Sequence, residues 1–230
     1  MNRFAVLIIF LVFIIASCRS RDKKIKPVLN EDGLYFDYQV WGDDDKQNIT
    51  VMLQYRPDGP EDKAVALSGP SHVSLDGKIL RADSSKMSGT WYESESTPDS
   101  FAGRHSIIFT DDNGKEYKEE FEFRPFTLKT KLQDTVHRAD LVLDLTDLNE
   151  EDYIRVIAID TAFRSRGINE MDTVKNGRLI ISKQLLKNLV NGPVRIEFYR
   201  EEEKPVKNGT PGGGFLLITY GLKREFVLAD

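Results

Sequence analysis

The chain has 230 residues, with 32 basic and 37 acidic side chains and a net charge of −5. That balance excludes the strongly basic footprint of a nucleic-acid-binding protein. A single cysteine excludes an internal disulfide and a thiolate metal site, so the fold must rest on hydrophobic burial, which a chain of this length can supply as one large or two modest domains.

The first element in chain order is an apolar run. Met1-Asn2-Arg3 carries one positive charge, and Phe4 to Ala16 follow without a polar residue. This run falls short of the roughly 20 residues a helix needs to span a bilayer, but it suits the apolar core of a secretory signal peptide. The lone cysteine, Cys18, comes directly after the small pair Ala16-Ser17. Ile15-Ala16-Ser17-Cys18 resembles the lipobox of bacterial lipoproteins. The resemblance implies that residues 1–17 are a signal peptide removed by cleavage before Cys18. It also implies a covalent diacylglycerol on the Cys18 thiol and an N-acyl chain on the new amino group. One medium chain binds a membrane only reversibly, at about 0.8 kcal/mol per buried methylene, so two or three chains are needed for stable anchoring.

Residues 18–29 read as a basic flexible tether. Arg19, Arg21, Lys23, Lys24 and Lys26 are opposed there only by Asp22. Anionic head groups would attract such a segment by about 1 kcal/mol per charge at best, and a plain solvated linker is an equal alternative. Cleavage removes Arg3 and no acid, so 31 of the 32 basic residues remain and the net charge becomes −6. Arg19 is not the aspartate that resembles an inner-membrane retention signal in enteric bacteria. The tether also lacks the acidic run that resembles a surface-export signal in Bacteroidetes. The expected location is therefore the outer membrane facing the periplasm, with the cell surface as the alternative.

From residue 33 onward the pattern has a period of two. Ile49, Val51, Leu53 and Tyr55 alternate with Thr50, Met52, Gln54 and Arg56, and Leu141, Leu143 and Leu145 with Val142, Asp144 and Thr146. Val194, Ile196 and Phe198 alternate with Arg195, Glu197 and Tyr199. Strands with one buried and one wet face read this way. Turn-forming runs separate them, and TDDNGKEY at 110 reads as a hairpin between SIIF and EEFEF. Only Ser182 to Leu189 reads as helical, with Ser182 as its cap and Gly192-Pro193 ending it. Asp76-Gly77-Lys78-Ile79-Leu80 recurs as Asn176-Gly177-Arg178-Leu179-Ile180, which suggests duplication. The expected fold is all-β, with two tandem β-sandwich domains at 30–125 and 126–230 that meet at Pro125. The chain is similar in this plan to Bacteroidetes-type envelope lipoproteins with tandem immunoglobulin-like or fibronectin-III-like domains. Neither half has the Cys, Trp, Cys pattern of true immunoglobulin domains.

Motifs that carry chemistry are scarce. His72, His105 and His137 lack metal-ligand spacing, and structural roles are favoured for all three. No G-x-S-x-G elbow occurs, and PGGGF at 211 lacks the lysine of a phosphate loop. Asp43, Asp44 and Asp45 could serve calcium, although a solvated turn is the favoured reading. In LYFDYQVW one face holds Leu34, Phe36, Tyr38 and Val40, and the other holds Tyr35, Asp37, Gln39 and Trp41. Trp41, Trp91 and Tyr92 are therefore candidate glycan contacts, with the core favoured for Trp91 and the choice open for Trp41. Asp134-Thr135-Val136, Asp160-Thr161-Ala162 and Asp172-Thr173-Val174 resemble the O-glycosylation sequon of Bacteroidetes envelope proteins. That makes Thr135, Thr161 and Thr173 candidate acceptors, against a reading as ordinary strand-edge Asp-Thr pairs.

These features imply an envelope lipoprotein without a cofactor, acting as a non-enzymatic binding or structural module. Its partners would be the membrane, through the lipid, and an envelope protein or the envelope itself. A glycan-binding accessory protein of a sugar-uptake system is the alternative. A hydrolase with an unrecognised acid pair ranks third.

Overall fold

The computed structural model describes residues 30–149, 152–162 and 165–230. The expected signal peptide at 1–17, lipid attachment at Cys18 and tether at 18–29 lie outside the described residues.

A 3-10 turn at Glu31–Gly33 leads into β1 (Tyr35–Asp43) and β2 (Asn48–Arg56). Then come β3 (His72–Leu75), β4 (Lys78–Ile79), β5 (Ala82–Ser85) and β6 (Gly89–Ser96). A single helical turn, Pro98–Phe101, precedes β7 (Gly103–Thr110) and β8 (Glu116–Phe123). Past Pro125 the strands are β9 (Thr127–Leu128), β10 (Thr135–His137), β11 (Leu141–Thr146), β12 (Tyr153–Asp160), β13 (Ile168–Thr173) and β14 (Arg178–Ile181). A second helical turn, Lys183–Leu186, is followed by the long hairpin of β15 (Gly192–Pro205) and β16 (Gly214–Ala229). Ser182 caps that turn by accepting the Leu185 amide at 3.3 Å. The regular helix is thus half the length the sequence suggests, because Asn188 and Leu189 continue it only as tighter turns, donating their amides to the Leu185 and Leu186 carbonyls three residues back.

The architecture is an all-β sandwich. One nine-stranded sheet has the order β13-β12-β15-β16-β1-β2-β6-β5, with β10 added beside β16. Smaller sheets of order β4-β3-β7-β8 and β14-β11-β9 complete it. Alternation fills the space between sheets. On β8 the pattern is strict, with Tyr117, Glu119, Phe121 and Phe123 buried and Glu116, Lys118, Glu120 and Glu122 exposed.

Before Pro125 the core is aromatic. Phe36 meets Tyr55 and Phe109 edge-on, with ring centroids 5.2 and 5.3 Å apart. Tyr38 and Tyr55 share a hydroxyl hydrogen bond of 3.3 Å inside it. After Pro125 the buried side chains are mainly aliphatic: Leu143, Ile154, Val156, Leu179, Ile181 and Ile196.

The expected division at Pro125 meets a different arrangement. β16 pairs in parallel with β1, from Phe36 against Gly214 to Asp43 against Gly221. Along its length it also pairs antiparallel with β15, from Gly192 against Leu228 to Pro205 against Phe215. The main sheet therefore runs unbroken from one half to the other, and the buried residues form one contiguous cluster. Tyr220 of β16 lies edge-on to Phe123 and Phe126, which flank Pro125. Gly214 permits the close β1–β16 approach, because a Cβ there would overlap the Phe36 carbonyl.

The repeated pentapeptides occupy matching local structures. Asp76-Gly77 has φ of 51° and 79°, and Asn176-Gly177 has φ of 51° and 71°. Two-residue hairpin loops that need φ above zero at both positions select Asp-Gly and Asn-Gly. The likeness ends with the turn, because Ile79 is exposed and Leu80 buried whereas Leu179 is buried and Ile180 exposed.

Candidate binding surfaces

The outward face of the nine-stranded sheet follows from the strand register. On β1 the alternation puts Tyr35, Asp37, Gln39 and Trp41 outward, as the sequence suggests. Trp41 pairs with Thr50, and Gln39 with Met52. Met52 pairs in turn with Glu93 on β6, so Trp91, two residues away, shares this face. Trp41 is 38% exposed. Trp91 is half-buried and donates from Nε1 to Glu93 Oε2 at 3.0 Å. Tyr35, Met52, Phe215 and Leu217 lie half-buried on the same face, with the Tyr35 and Phe215 ring centroids 6.2 Å apart. The structure thus brings Trp41 and Trp91 to one surface.

Tyr92 faces the other way. It is 6% exposed, packs edge-on to Tyr55, and its hydroxyl accepts the Leu67 amide at 3.0 Å. Burial pushes its phenol pKa up. One residue of offset on a strand reverses the face, so Tyr92 cannot join a surface that includes Trp91.

Polar groups sit between the aromatics. Asp37 points outward yet is buried, because Arg56 of β2 donates to its Oδ2 from Nε at 3.1 Å and from Nη2 at 2.7 Å. Gln39 Nε2 donates to Asp37 Oδ1 at 3.0 Å, and Arg56 also donates to Gln54 Oε1 at 2.9 Å. A carboxylate held by several charge-assisted bonds is fixed in place. Nothing in the alternation of β1 announced this cluster. The signal lay in the register that sets Arg56 near Asp37.

The aspartate turn is occupied by ion pairs. Asp43 Oδ2 lies 2.7 Å from Lys223 Nζ, and Asp44 Oδ2 lies 2.5 Å from Arg224 Nη1. Burial works to raise the Asp43 carboxyl, but the Lys223 ammonium and the Lys46 amide outweigh it and hold the pKa below the usual range. Among the described residues no group of three or more His, Cys, Asp or Glu side chains could hold a metal ion.

His105 sits beside two groups that suggest a catalytic triad. Its Nδ1 is 2.7 Å from Asp76 Oδ2, and Ser106 follows it with a buried, unpartnered Oγ. The geometry does not assemble one. Consecutive strand residues point to opposite faces, and Nε2 is committed to the Phe101 carbonyl at 2.6 Å. The ring also stacks on Phe101 with centroids 3.8 Å apart. His105 joins the Asp76 turn to the Pro98–Phe101 turn. His72 and His137 each bond a main-chain carbonyl from Nδ1.

Thr135 and Thr161 are exposed, and Thr173 is half-buried. Asp134, Asp160 and Thr161 border a shallow groove of about 430 Å³ at the β10 end of the sheet. No local sequence signal marks this groove, because its walls come from three strands, β12, β15 and β16, and from Asp134 ahead of β10, which only the topology joins.

No family model and no curated protein sequence matches the chain. Among solved structures, it is similar to DIP-gamma IG1+IG2, at 8% identity over 82% of this chain and 94% of that one, with a TM-score of 0.25. A second match comes from work on host cell surface retention of a 1.5-MDa bacterial ice-binding adhesin, at 11% identity over 86% of this chain and 65% of that one, with a TM-score of 0.26. A third is Dpr11 IG1 bound to DIP-gamma IG+IG2, at 8% identity over 82% and 97%, with a TM-score of 0.25.

Proposed function

We propose that the protein is a lipid-anchored, non-enzymatic binding module of the bacterial cell envelope that engages a protein partner through the outward face of its nine-stranded sheet. One observation carries the reading. Trp41 and Trp91, with Tyr35, Met52, Phe215 and Leu217, lie on one side of four neighbouring strands and leave the core to other residues. Large apolar side chains gathered on an open sheet face are a common basis of protein association. The anchor rests on Ile15-Ala16-Ser17-Cys18, and among the described residues no helix is long and apolar enough to cross a membrane. Attachment at Cys18 would hold the protein at the outer membrane, on the periplasmic side.

The test is capture of partners from detergent-solubilised membranes by wild type and by Trp41→Ala/Trp91→Ala. Wild type is expected to recover a specific protein that the double variant loses. Recovery of the same proteins by both would overturn the reading. Metabolic labelling with a fatty-acid analogue tests the anchor, which Cys18→Ala is expected to abolish.

A second reading is favoured by the same two tryptophans. Flat rings beside Gln39, Glu93 and the Asp37–Arg56 pair combine stacking with planar hydrogen-bonding groups, as glycan recognition requires. A glycan array bound by wild type and not by Trp41→Ala would favour it over a protein partner.

A further inference from the structure

The groove at the β10 end of the sheet has its own chemistry. Its floor is aliphatic. Pro193 and Val227 face each other across β15 and β16, and Ile159 of β12 lies one row away opposite Arg195. Ile159 and Val227 are 53% and 45% exposed, although β12 and β16 each have neighbouring strands on both sides. Phe226 also borders the groove, but its ring is buried on the core side, so no aromatic platform is offered.

The rim is acidic. Asp134 precedes β10, Asp160 ends β12, and Glu225 lies on β16. Asp160 is fixed by the amides of Ala162 at 2.7 Å and Val190 at 2.8 Å. Burial works to raise its carboxyl, but these amides outweigh it and keep it ionised at neutral pH. Among the described residues neither Asp134 nor Glu225 has an ion-pair partner. The one cation in the lining, Arg195, is compensated by Glu197, with Nη2 2.7 Å from Oε1. The groove therefore holds unbalanced negative charge above an aliphatic floor.

Its position matters as well. β16 starts beside Phe36, close to where residues 1–29 join the body, and reaches the groove at Val227. At ~3.3 Å per residue that separation is about 40 Å.

We propose that this groove docks a basic, extended segment of a partner protein, with Lys or Arg stems on Ile159, Pro193 and Val227 and their charged heads at Asp134, Asp160 and Glu225. Charge complementarity selects this occupant. Long basic side chains bury their methylene stems on apolar surface while the head stays at a polar rim. Carboxylates with no cation beside them favour cationic segments and reject acidic ones. That the groove points away from the membrane rests on the anchor proposed above; its chemistry does not.

The test uses the full chain in detergent micelles and fluorescence anisotropy of labelled octapeptides. One peptide alternates Lys and Val, so that an extended chain shows all its lysines on one side. The control alternates Glu and Val. The Lys peptide is expected to bind and the Glu peptide not, and binding should weaken as salt shortens the screening length to about 3 Å near 1 M. Asp134→Lys/Glu225→Lys is expected to cost about tenfold or more in affinity, and Ile159→Ser a smaller factor. Should the charge reversal fail to fold by circular dichroism, Asp134→Asn/Glu225→Gln replaces it, with the same direction expected. Equal binding of the two peptides, or binding unchanged in the folded variants, would overturn the proposal. Trp41→Ala is expected to leave peptide binding unchanged. If it abolishes binding, the groove assignment is wrong and the peptide sits on the tryptophan surface.

Discussion

The two halves of the main sheet are filled differently. The half built on β1 and β2 packs interlocked rings, Phe36, Tyr38, Tyr55, Phe109 and Tyr117, whereas the half built on β12 and β15 packs branched aliphatics. β16 serves both, turning Leu216, Ile218 and Tyr220 to the core beside β1 and Leu222, Phe226 and Leu228 to the core beside β15. Two chemically distinct parts of one contiguous core, sharing the strand β16, should not be separable. The largest expected effect follows. A fragment of residues 30–125 should remain unfolded, because β1 loses its parallel partner and the side chains that close its core. Circular dichroism and amide dispersion in NMR would show it. A cooperatively folded fragment would mean that the halves are independent after all.

This junction was also the least legible part of the fold. Strand existence and facing could be read from alternation, because burial on one face imposes a period of two whatever the partner. Leu34, Phe36, Tyr38 and Val40 are all buried as the pattern implies. Partner choice could not be read. The β1–β16 pairing joins residues at opposite ends of the chain, and no local signal marks such a contact. The tryptophan surface was half legible for the same reason. Alternation left Trp41 free to face outward, but only the β2–β6 register carries Trp91 onto its face and Tyr92 away from it.

Within the cores, aromatic and aliphatic packing should respond unequally to truncation. Phe36 is fully buried and touches rings from both sheets of its half, so Phe36→Ala should cost about 3–5 kcal/mol. Ile154 is also fully buried, but Ile154→Val removes one methylene and should cost about 1 kcal/mol. Denaturant melts would measure both. A cost for Phe36→Ala no larger than that of Ile154→Val would mean that the neighbouring rings collapse into the space left by Phe36.

The tyrosine pair offers a sharper probe. Tyr38→Phe leaves the Tyr55 hydroxyl buried without its partner, which should cost about 1–3 kcal/mol, while Tyr38→Phe/Tyr55→Phe should be closer to neutral. Burial raises both phenol pKa values above 10. The neutral forms are thus favoured in the folded state, so their contribution is complete below the unfolded value of about 10 and is lost as pH rises above it. Wild type should lose stability in alkali, and the double variant should lose less.

The smallest expected effect lies at the other end of the pH scale, where Asp43 of the β1–β2 turn reaches across to Lys223 of β16. Its carboxyl pKa is depressed in the folded state. The sign is therefore opposite to that of the tyrosines. The stabilisation is complete above the unfolded carboxylate value of about 4 and disappears as pH falls through the folded value. The pair is partly open to solvent, which limits its worth to at most about 1 kcal/mol. Its location gives it meaning beyond that size. Asp43 and Asp44 together fasten the β1–β2 turn to β16 at the point where that strand passes from the aromatic core to the aliphatic one. Thermal melts of wild type and Asp43→Asn across pH 3 to 7 should converge at the acid end and separate at neutral pH. If the curves stay parallel, the turn does not fasten the shared strand, and the two cores are joined through β16 by packing alone.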